Sequence, residues 1–343
     1  MEGALYLHRV AGTNPLSVMP TMPRDLDRVQ AELELVVQTP NSFLTEIASH
    51  LIAAGGKRIR PGFSIAAAAT SHVDDREATD DVIRGGAAVE LVHLGSLYHD
   101  DVIDAASTRH FVPSVNSIWG NHRAILAGDF LLARASEIAA SLGTEVAGLL
   151  GATISRLVEG QILELQHLYD PDRPVDSYFR SIDGKTAALL ATSCRTGAIV
   201  AQLPRHQIDA LTQFGSSYGT AFQIVDDVLD LVSNDADMGK PTGHDLEEGV
   251  YTLPVLRALA EPGSDELRSL LIQDMGTASR DRCVALIRAS GVIDGAIVDA
   301  RRAAAEAVTA LEVFDESPGI RGLTSAADYL LANVEGAASR VSG

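Results

Sequence analysis

The chain contains little cysteine, little lysine and few aromatic residues. Its two cysteines, Cys194 and Cys283, lie far apart and in no CxxC pair, which excludes a disulfide scaffold and a thiolate zinc site and suits a reducing compartment. Aromatic residues are only 5% of the 343 residues, which argues against a large β-sheet. Because 27 basic residues stand against 46 acidic ones, the basic stripe of a nucleic-acid-binding protein is also excluded.

Long hydrophobic runs are missing as well. No segment approaches about 18 uninterrupted apolar residues, the length of a membrane span, and the first residues lack the basic and apolar regions of a secretory signal. Hydrophobic residues are 46% of the chain and charged residues 21%, which is ordinary globular composition. We therefore expect a soluble, cytoplasmic protein without a transmembrane segment.

Apolar residues recur at helical rather than alternating spacing along most of the chain, and alanine and leucine are good helix formers. No linker separates two composition regimes, and residues 1–24 contain three prolines and little periodicity. The sequence predicts an all-α protein, with a loosely ordered N-terminus over residues 1–24 and one large helical domain over residues 25–343.

Lysine occurs only at Lys57, Lys185 and Lys240, and each follows a glycine. A compact ammonium group that reaches an anion past tight backbone benefits from such a neighbour. The alternative is that three lysines fell beside glycine by chance. The pattern favours three anion-binding lysines.

Two aspartate motifs carry the clearest chemistry. The sequences DDVID at 100–104 and DDVLD at 226–230 place two carboxylates at positions i and i+4, on one helix face. Like charges on one face repel, and their apolar flanks predict burial, so a divalent cation would stabilise them. The alternative is a pair of helices whose acidic faces point to water. This explanation is adequate for one such motif but not for two.

Carboxylates that hold Mg²⁺, together with glycine-lysine loops and arginines, match a phosphorylated substrate. The segment GGKRIRP lacks the Walker A spacing, and no GxGxxG fingerprint opens a βα unit, so a nucleotide-binding sheet is not indicated. A diphosphate held between two helices fits better.

With these motifs in place, the chain resembles the trans-polyprenyl (isoprenyl) diphosphate synthases from about Asn41 to Ala332. The matching segments, in order, are GGKRIRP (55–61), ELVHLGSLYHDDVID (90–104), WGNHRAILAGDFLLARA (119–135), GKTAALL (184–190), FQIVDDVLD (222–230) and GKPTGHDLEEGVYTLP (239–254). The resemblance implies an all-α, single-domain bundle of the isoprenoid synthase type with a central cavity, the two motifs facing each other, and a homodimer.

The resemblance also implies a reaction. A cluster of three Mg²⁺ ions on the aspartates ionises an allylic diphosphate, isopentenyl diphosphate attacks the resulting cation through its double bond, and a proton is lost to the departing pyrophosphate. Each cycle adds five carbons to an all-trans chain. Metals and cations that stabilise charge on the leaving group supply the driving force.

Carried over position by position, the resemblance implies three sets of site residues. The residues that bind metal are Asp100, Asp101, Asp104, Asp226 and Asp230. The catalytic set consists of these five together with Asp227 and Lys185. The allylic diphosphate is bound by Arg109, Lys185, Thr186, Gln223 and Lys240. Isopentenyl diphosphate is bound by Lys57, Arg60, His93 and His110. The alternative for His93 is a buried histidine of the core whose ring nitrogens are hydrogen-bonded within the protein.

The chain departs from the family's pattern on the isopentenyl side. His110 stands where the family has the second arginine of a pair, and Phe111 replaces the usual glycine. The C-terminus, with Asn333 and a lone Arg340, lacks the usual basic tail. Because a histidine is mostly neutral at pH 7 and cannot form a bidentate contact, we expect a raised KM for isopentenyl diphosphate.

The variant His110→Arg tests this expectation, because it restores a bidentate cation at that position. Steady-state kinetics with varied isopentenyl diphosphate should show a lower KM than the parent chain. An unchanged KM would count against the assignment of His110 to that site.

In such synthases the product grows beside the helix of the first motif, and residues one turn before it set the depth of the tunnel. Gly95 and Ser96 occupy these positions, and both are small. We expect a product longer than geranylgeranyl diphosphate, and a shorter one from Gly95→Phe. The alternative for Gly95 is close helix packing.

Other functions remain open at this stage. A terpene cyclase also ionises allylic diphosphates, but it consumes them without isopentenyl diphosphate. A short-chain synthase differs only in product, and a non-catalytic subunit of a heteromeric synthase would be inactive alone. A metal-dependent phosphohydrolase that uses His99 and Asp100 lacks further ligands in the sequence.

Overall fold

A computed structural model describes residues 14–109, 112–232 and 242–341, without the side chains of residues 333–335 and 337–341. His110 and Lys240 therefore lie outside the described residues. The helices of the described part, numbered along the chain, are α1 (Met22–Val36), α2 (Ser42–Ala54), α3 (Ile59–Ala68), α4 (Asp80–Ile103), α5 (Val115–Trp119), α6 (Asn121–Leu142), α7 (Thr144–Leu165), α8 (Val175–Ile182), α9 (Ala188–Val200), α10 (Arg205–Val232), α11 (His244–Glu247), α12 (Leu253–Ala260), α13 (Asp265–Leu270), α14 (Thr277–Ala289), α15 (Val292–Ala310) and α16 (Pro318–Val341).

Short 3₁₀ turns at Ala69–Ser71 and Leu311–Val313 and a π-helical turn at Asp183–Ala187 complete the helical structure of these residues. Within the described ranges the strands are limited to β1 (Thr108–Arg109) and β2 (Val112–Pro113), which pair antiparallel with Arg109 opposite Val112. The predicted all-α fold is confirmed.

Helix α4 runs through the core and is buried on nearly all sides, as a helix with small or apolar residues around its circumference must be. Thr79 caps its start by accepting the amide of Val82. A Cβ at Gly86 would lie 3.2 Å from the Cα of Pro61 on α3, so the two backbones approach closely. This packing fixes the direction of α4 and hence the place of the aspartate motif at its end.

Helix α10 is the second central element and packs between α9 and α15. Its glycines allow the approach: a Cβ at Gly219 would lie 2.5 Å from the Cα of Ala187, and one at Gly215 2.6 Å from the carbonyl oxygen of Leu190. The second aspartate motif is thereby held beside the π-helical turn that carries Lys185.

The predicted loose N-terminus needs correction for residues 14–24. Leu16 is fully buried and Met19 nearly so, and they fill the spaces left by Gly62 on α3 and Gly322 on α16. Asn14 donates to the carbonyl of Lys57 at 2.9 Å. Apolar side chains at turn spacing, which the prolines obscure in the sequence, tie this segment to the domain.

Helix α7 differs from its neighbours in exposing apolar surface. By length and composition it could cross a membrane, and within the described residues it alone passes that test. One such helix is weak evidence of a span, and 22% of its apolar window is buried. Val158 and Ile162 are among its exposed residues.

Candidate active site

The two aspartate motifs lie at the C-terminal ends of the central helices. Five of the six aspartates are less than one tenth exposed: Asp100, Asp101, Asp226, Asp227 and Asp230. Asp104, which follows the last turn of α4, is exposed. A helix C-terminus carries partial negative charge, so these carboxylates are placed where only a cation makes them favourable.

A cavity of about 300 Å³ lies between the two motifs. Nine of the predicted site residues line it: Lys57, Arg60, His93, Ser96, Asp100, Lys185, Thr186, Gln223 and Asp226. Its remaining wall is largely apolar, with Leu97, Leu157 and Phe222 as examples. The cavity therefore joins a charged end to an apolar interior, which suits a molecule with a phosphate head and a hydrocarbon chain.

The acidic side of the cavity is suited to a divalent cation. Burial raises the pKa of Asp100 to about 6, with Lys185 opposing the shift and Asp104 adding to it. Among the described residues no three acidic, histidine or cysteine side chains come together as a complete metal cage. An ion here would take its remaining ligands from water and phosphate, which is how Mg²⁺ binds in phosphate-transferring sites.

Lys185 faces these aspartates and is held by Glu164 of α7. Its Nζ donates to Glu164 Oε1 at 2.5 Å, and the two side chains are 18% and 15% exposed. Burial lowers the pKa of Lys185, but the charges of Glu164 and Asp100 outweigh burial and the net shift is upward. The lysine is therefore a fixed cation at the mouth of the acidic pocket.

The π-helical turn that presents Lys185 depends on two glycines in contact. A Cβ at Gly160 of α7 would lie 2.6 Å from the backbone nitrogen of Lys185, and one at Gly184 2.7 Å from the carbonyl oxygen of Arg156. No side chain fits at either position without moving backbone. Single π turns are frequent at functional sites, and this one turns Lys185 towards the cavity.

A hydrogen-bond chain joins the remaining allylic-side residues. Thr186 Oγ1 donates to Gln223 Oε1 at 2.8 Å, and Gln223 Nε2 donates to Asp227 Oδ1 at 2.9 Å. Tyr178 donates to the other carboxylate oxygen of Asp227 at 2.5 Å. Burial, followed by the charge of Asp245, raises the pKa of Asp227 well above its usual range. Asp227 thus orients Gln223, whereas Asp226 lines the cavity.

Asp101 and Arg109 meet each other rather than the cavity. Arg109 donates to Asp101 Oδ1 from Nε at 2.7 Å and from Nη2 at 2.6 Å. Their side chains are 0% and 3% exposed, and neither lines the cavity. The sequence placed them separately, one on the metal and one on the allylic diphosphate; the structure pairs them as a buried link between α4 and β1.

Three residues of the predicted isopentenyl set, Lys57, Arg60 and His93, also line the cavity. Lys57 Nζ lies 5.6 Å from the centre of the Tyr329 ring, and burial lowers the pKa of Lys57. The Arg60 side chain forms no hydrogen bond or ion pair with any described residue. A cation that faces a cavity with no protein acceptor is arranged to meet an anion.

The two predicted chain-length residues lie on different faces of α4. Ser96 lines the cavity. Gly95 does not, because its Cβ would point at α6, 3.1 Å from the carbonyl oxygen of Gly128 and 3.2 Å from Leu132. At Gly95 the structure has the close helix packing that the sequence left open as the alternative. His99 also contacts α6, with Nε2 3.1 Å from the carbonyl oxygen of Ile125.

Sequence reasoning missed Glu164, Tyr178 and Glu90 as parts of the site. Glu164 does leave a signal, since it lies one turn after Gln161 in the largely apolar segment 157–165 and both side chains point to one face of the helix. Tyr178 leaves none, because its partner Asp227 is 49 residues away.

Comparison with known proteins gives concordant results. The sequence model of the family described as "Polyprenyl synthetase" matches residues 41–287. Nonaprenyl diphosphate synthase of Mycobacterium tuberculosis is 37% identical over 305 residues, which cover 88% of this chain and 90% of that protein. Heptaprenyl diphosphate synthase component 2 of Geobacillus stearothermophilus is 42% identical over 238 residues, covering 69% and 73%.

Among solved structures, polyprenyl synthase of Caulobacter crescentus, crystallised with calcium and isoprenyl diphosphate, superimposes with a TM-score of 0.85. The two chains are 32% identical, and the match covers 92% of this chain and 96% of that one. The same fold in that protein accompanies a divalent cation and an isoprenyl diphosphate.

Proposed function

The chain belongs to the polyprenyl synthetase family, and we propose that it is a prenyltransferase that condenses isopentenyl diphosphate with an allylic diphosphate to give an all-trans polyprenyl diphosphate. One observation carries the proposal: Asp100 and Asp226, one from each motif, line the same cavity as Lys185, Lys57 and Arg60. Apart from Arg58 and Glu90, which are paired with each other, two anionic and three cationic groups surround one largely apolar cavity, an arrangement that suits two diphosphates and a growing hydrocarbon chain.

Each substrate has its own set of residues, and Asp100 and Asp226 of the metal-binding set line the cavity. Asp100, Asp226 and Asp230, with the exposed Asp104, would hold Mg²⁺, and we propose three ions. Bound Mg²⁺ neutralises the charge that develops on the departing diphosphate. Lys185 holds the same diphosphate from the opposite side, and Thr186 and Gln223 bind it in the orientation that their hydrogen bond to each other fixes.

Lys57, Arg60 and His93, which line the same cavity, would hold isopentenyl diphosphate so that its double bond faces the reacting carbon. Lys57 and Arg60 neutralise its phosphates. The apolar wall formed by residues such as Leu97 and Phe222 excludes water from the allylic cation that forms when the diphosphate departs. Water exclusion matters because a water molecule would otherwise capture the cation.

Incorporation of isopentenyl units tests this function. The purified chain is incubated with Mg²⁺, labelled isopentenyl diphosphate and each short allylic diphosphate in turn. We expect label in prenyl products, and none after chelation of the metal. Consumption of the allylic substrate without label would indicate a cyclase, and inactivity of the chain alone would indicate a subunit that needs a partner.

Product length depends on the face of α4 that lines the cavity. We expect Ser96→Phe to shorten the product by at least one five-carbon unit, because a phenyl ring there fills space that the chain would occupy. The variant Gly95→Phe is expected instead to destabilise the fold by about 1–3 kcal/mol or more through overpacking against α6. Mass spectrometry of products and thermal unfolding measure the two effects.

The variant Ser269→Phe, on an exposed site away from the cavity, is the control for adding a phenyl group. An unchanged product from Ser96→Phe would contradict the assignment of Ser96. We propose a parent product longer than geranylgeranyl diphosphate, which the nonaprenyl and heptaprenyl names of the relatives support.

We propose that a second copy of the chain covers the exposed apolar face of α6 and α7, giving a homodimer. Five large apolar residues of α5, α6 and α7 are more than 40% exposed: Ile118, Ile125, Leu126, Val158 and Ile162. Val158 and Ile162 also line the cavity, so α5 and α6 supply the part of this face that lies outside it. Such a patch on one side of a protein is typical of an interface. A covered α7 would also explain its apolar composition in a cytoplasmic enzyme, which we take this chain to be.

The double variant Ile125→Asp/Leu126→Asp should convert the protein from twice 36.2 kDa to 36.2 kDa in light scattering, because it buries two charges at that interface. The variant Leu35→Asp, at a residue 66% exposed on α1, should leave the mass unchanged. A monomeric parent chain would contradict the homodimer and favour a different partner.

A further inference from the structure

We propose that Arg58 and Glu90 are positioning residues of the isopentenyl diphosphate site: Arg58 occupies the Glu90 carboxylate and so keeps Arg60 available for the diphosphate. The inference rests on the proposed function, since it concerns the same wall of the cavity. It gives the second of the three cationic residues in GGKRIRP a role different from that of the other two.

Arg58 borders the cavity, but its guanidinium is held by groups from three different helices. Its Nη1 donates to Glu90 Oε1 on α4 at 2.8 Å, and its Nη2 donates to Gln30 Oε1 on α1 and to the carbonyl oxygen of Ile52 on α2, both at 2.9 Å. The Arg58 and Glu90 side chains are each 6% exposed. A planar guanidinium meets three acceptors in fixed directions better than any other side chain.

The backbone of the loop is shaped to turn Arg58 inward. Arg58 precedes α3 with φ +49° and ψ +44°, a left-handed conformation that is uncommon for a residue with a side chain. Gly55 and Gly56 before it have φ of +79° and +145°. The anchored side chain compensates for the strained backbone, and it leaves Lys57 and Arg60 as the cations of this segment on the cavity wall that are not held by Glu90.

Glu90 lies within the electrostatic reach of two arginines. It is ion-paired with Arg58, it lines the cavity together with Arg60, and its charge opposes the lowering of the Arg60 pKa by burial. Arg60 has no ion pair with any described residue. Without Arg58, Glu90 would be a buried, uncompensated charge, and Arg60 is the nearby cation that can pair with it.

A double-mutant cycle tests this capture. In Arg58→Met, Glu90 pairs with Arg60, which is then no longer available to the substrate. We therefore expect both the KM and the calorimetric Kd for isopentenyl diphosphate to rise by about tenfold or more. The KM for the allylic substrate stays unchanged. In Arg58→Met/Glu90→Gln no carboxylate competes for Arg60, so both constants return to within about threefold of the parent.

The conservative variant Arg58→Lys keeps Glu90 paired and is expected to stay near the parent values. Should Arg58→Met not fold, Arg58→Gln serves in its place with the same expected direction. The variant Arg257→Met breaks the ion pair with Asp299, which does not line the cavity, and controls for loss of stability alone.

A purely structural role for the pair predicts that the double variant binds isopentenyl diphosphate no better than Arg58→Met, and that result would overturn the inference. Unchanged constants in Arg58→Met would do the same. If the parent chain neither binds nor consumes isopentenyl diphosphate, the proposed function fails and the inference fails with it.

Discussion

Replacing either Asp100 or Asp226 with asparagine is expected to lower kcat by at least about 10³-fold, because each variant removes a charge that, in the proposed mechanism, holds Mg²⁺ against the departing diphosphate. Asparagine keeps the shape of the side chain, so the fold should be retained. Both carboxylates are buried beside the cavity, so we do not expect a water molecule to take over the role of the lost charge in either variant. The measurement is kcat with saturating substrates, followed by a titration of Mg²⁺.

The control for this pair of variants lies on the same helix. Asp81→Asn changes an exposed aspartate in the first turn of α4, where the loss is limited to about 0.3–1 kcal/mol of helix stability. We expect its kcat to be unchanged. A kcat in Asp226→Asn equal to that of Asp81→Asn would remove the second motif from the reaction.

Asp227 should behave differently from its neighbour Asp226. Its two oxygens accept hydrogen bonds from Tyr178 and Gln223, so its effect on the reaction passes through the orientation of Gln223. The structure thus separates two adjacent aspartates that the sequence motif presents as equivalent.

The second large effect concerns Lys185. We expect Lys185→Met to lower kcat/KM for the allylic substrate by about 10²-fold, because a charge-assisted contact to the diphosphate is lost. The same variant leaves Glu164 mostly buried without its cation, which is expected to reduce the free energy of unfolding by about 3 kcal/mol.

A second substitution separates stability from catalysis. In Lys185→Met/Glu164→Gln the uncompensated carboxylate is gone, so we expect the unfolding free energy to recover while kcat/KM stays low. Chemical denaturation and steady-state kinetics on both variants provide the test. Recovery of activity together with stability would show that Lys185 has only a structural role.

Much of this site could be predicted from sequence because its main signals are local. The i and i+4 spacing within each aspartate motif and the apolar flanks of the second one are properties of single helices, and five of the six aspartates are buried at helix ends. The all-α fold follows from the same periodicity.

The remaining features depend on contacts between distant segments. Nothing local shows that Arg109 turns to Asp101, that Tyr178 reaches Asp227, or that Gly95 faces α6 rather than the cavity. A period of 3.6 residues defines a helix face but does not identify its neighbour. The buried Leu16 was missed for the same reason, because its pocket is made by α3 and α16.

The central claim is that both aspartate motifs act on one diphosphate across one cavity. Crystals of the chain grown with Mn²⁺ and an unreactive allylic thiodiphosphate would test it most directly, since the anomalous signal locates each ion. We expect ions between the diphosphate and both Asp100 and Asp226. A diphosphate bound at only one motif, with no ion at the other, would contradict the account.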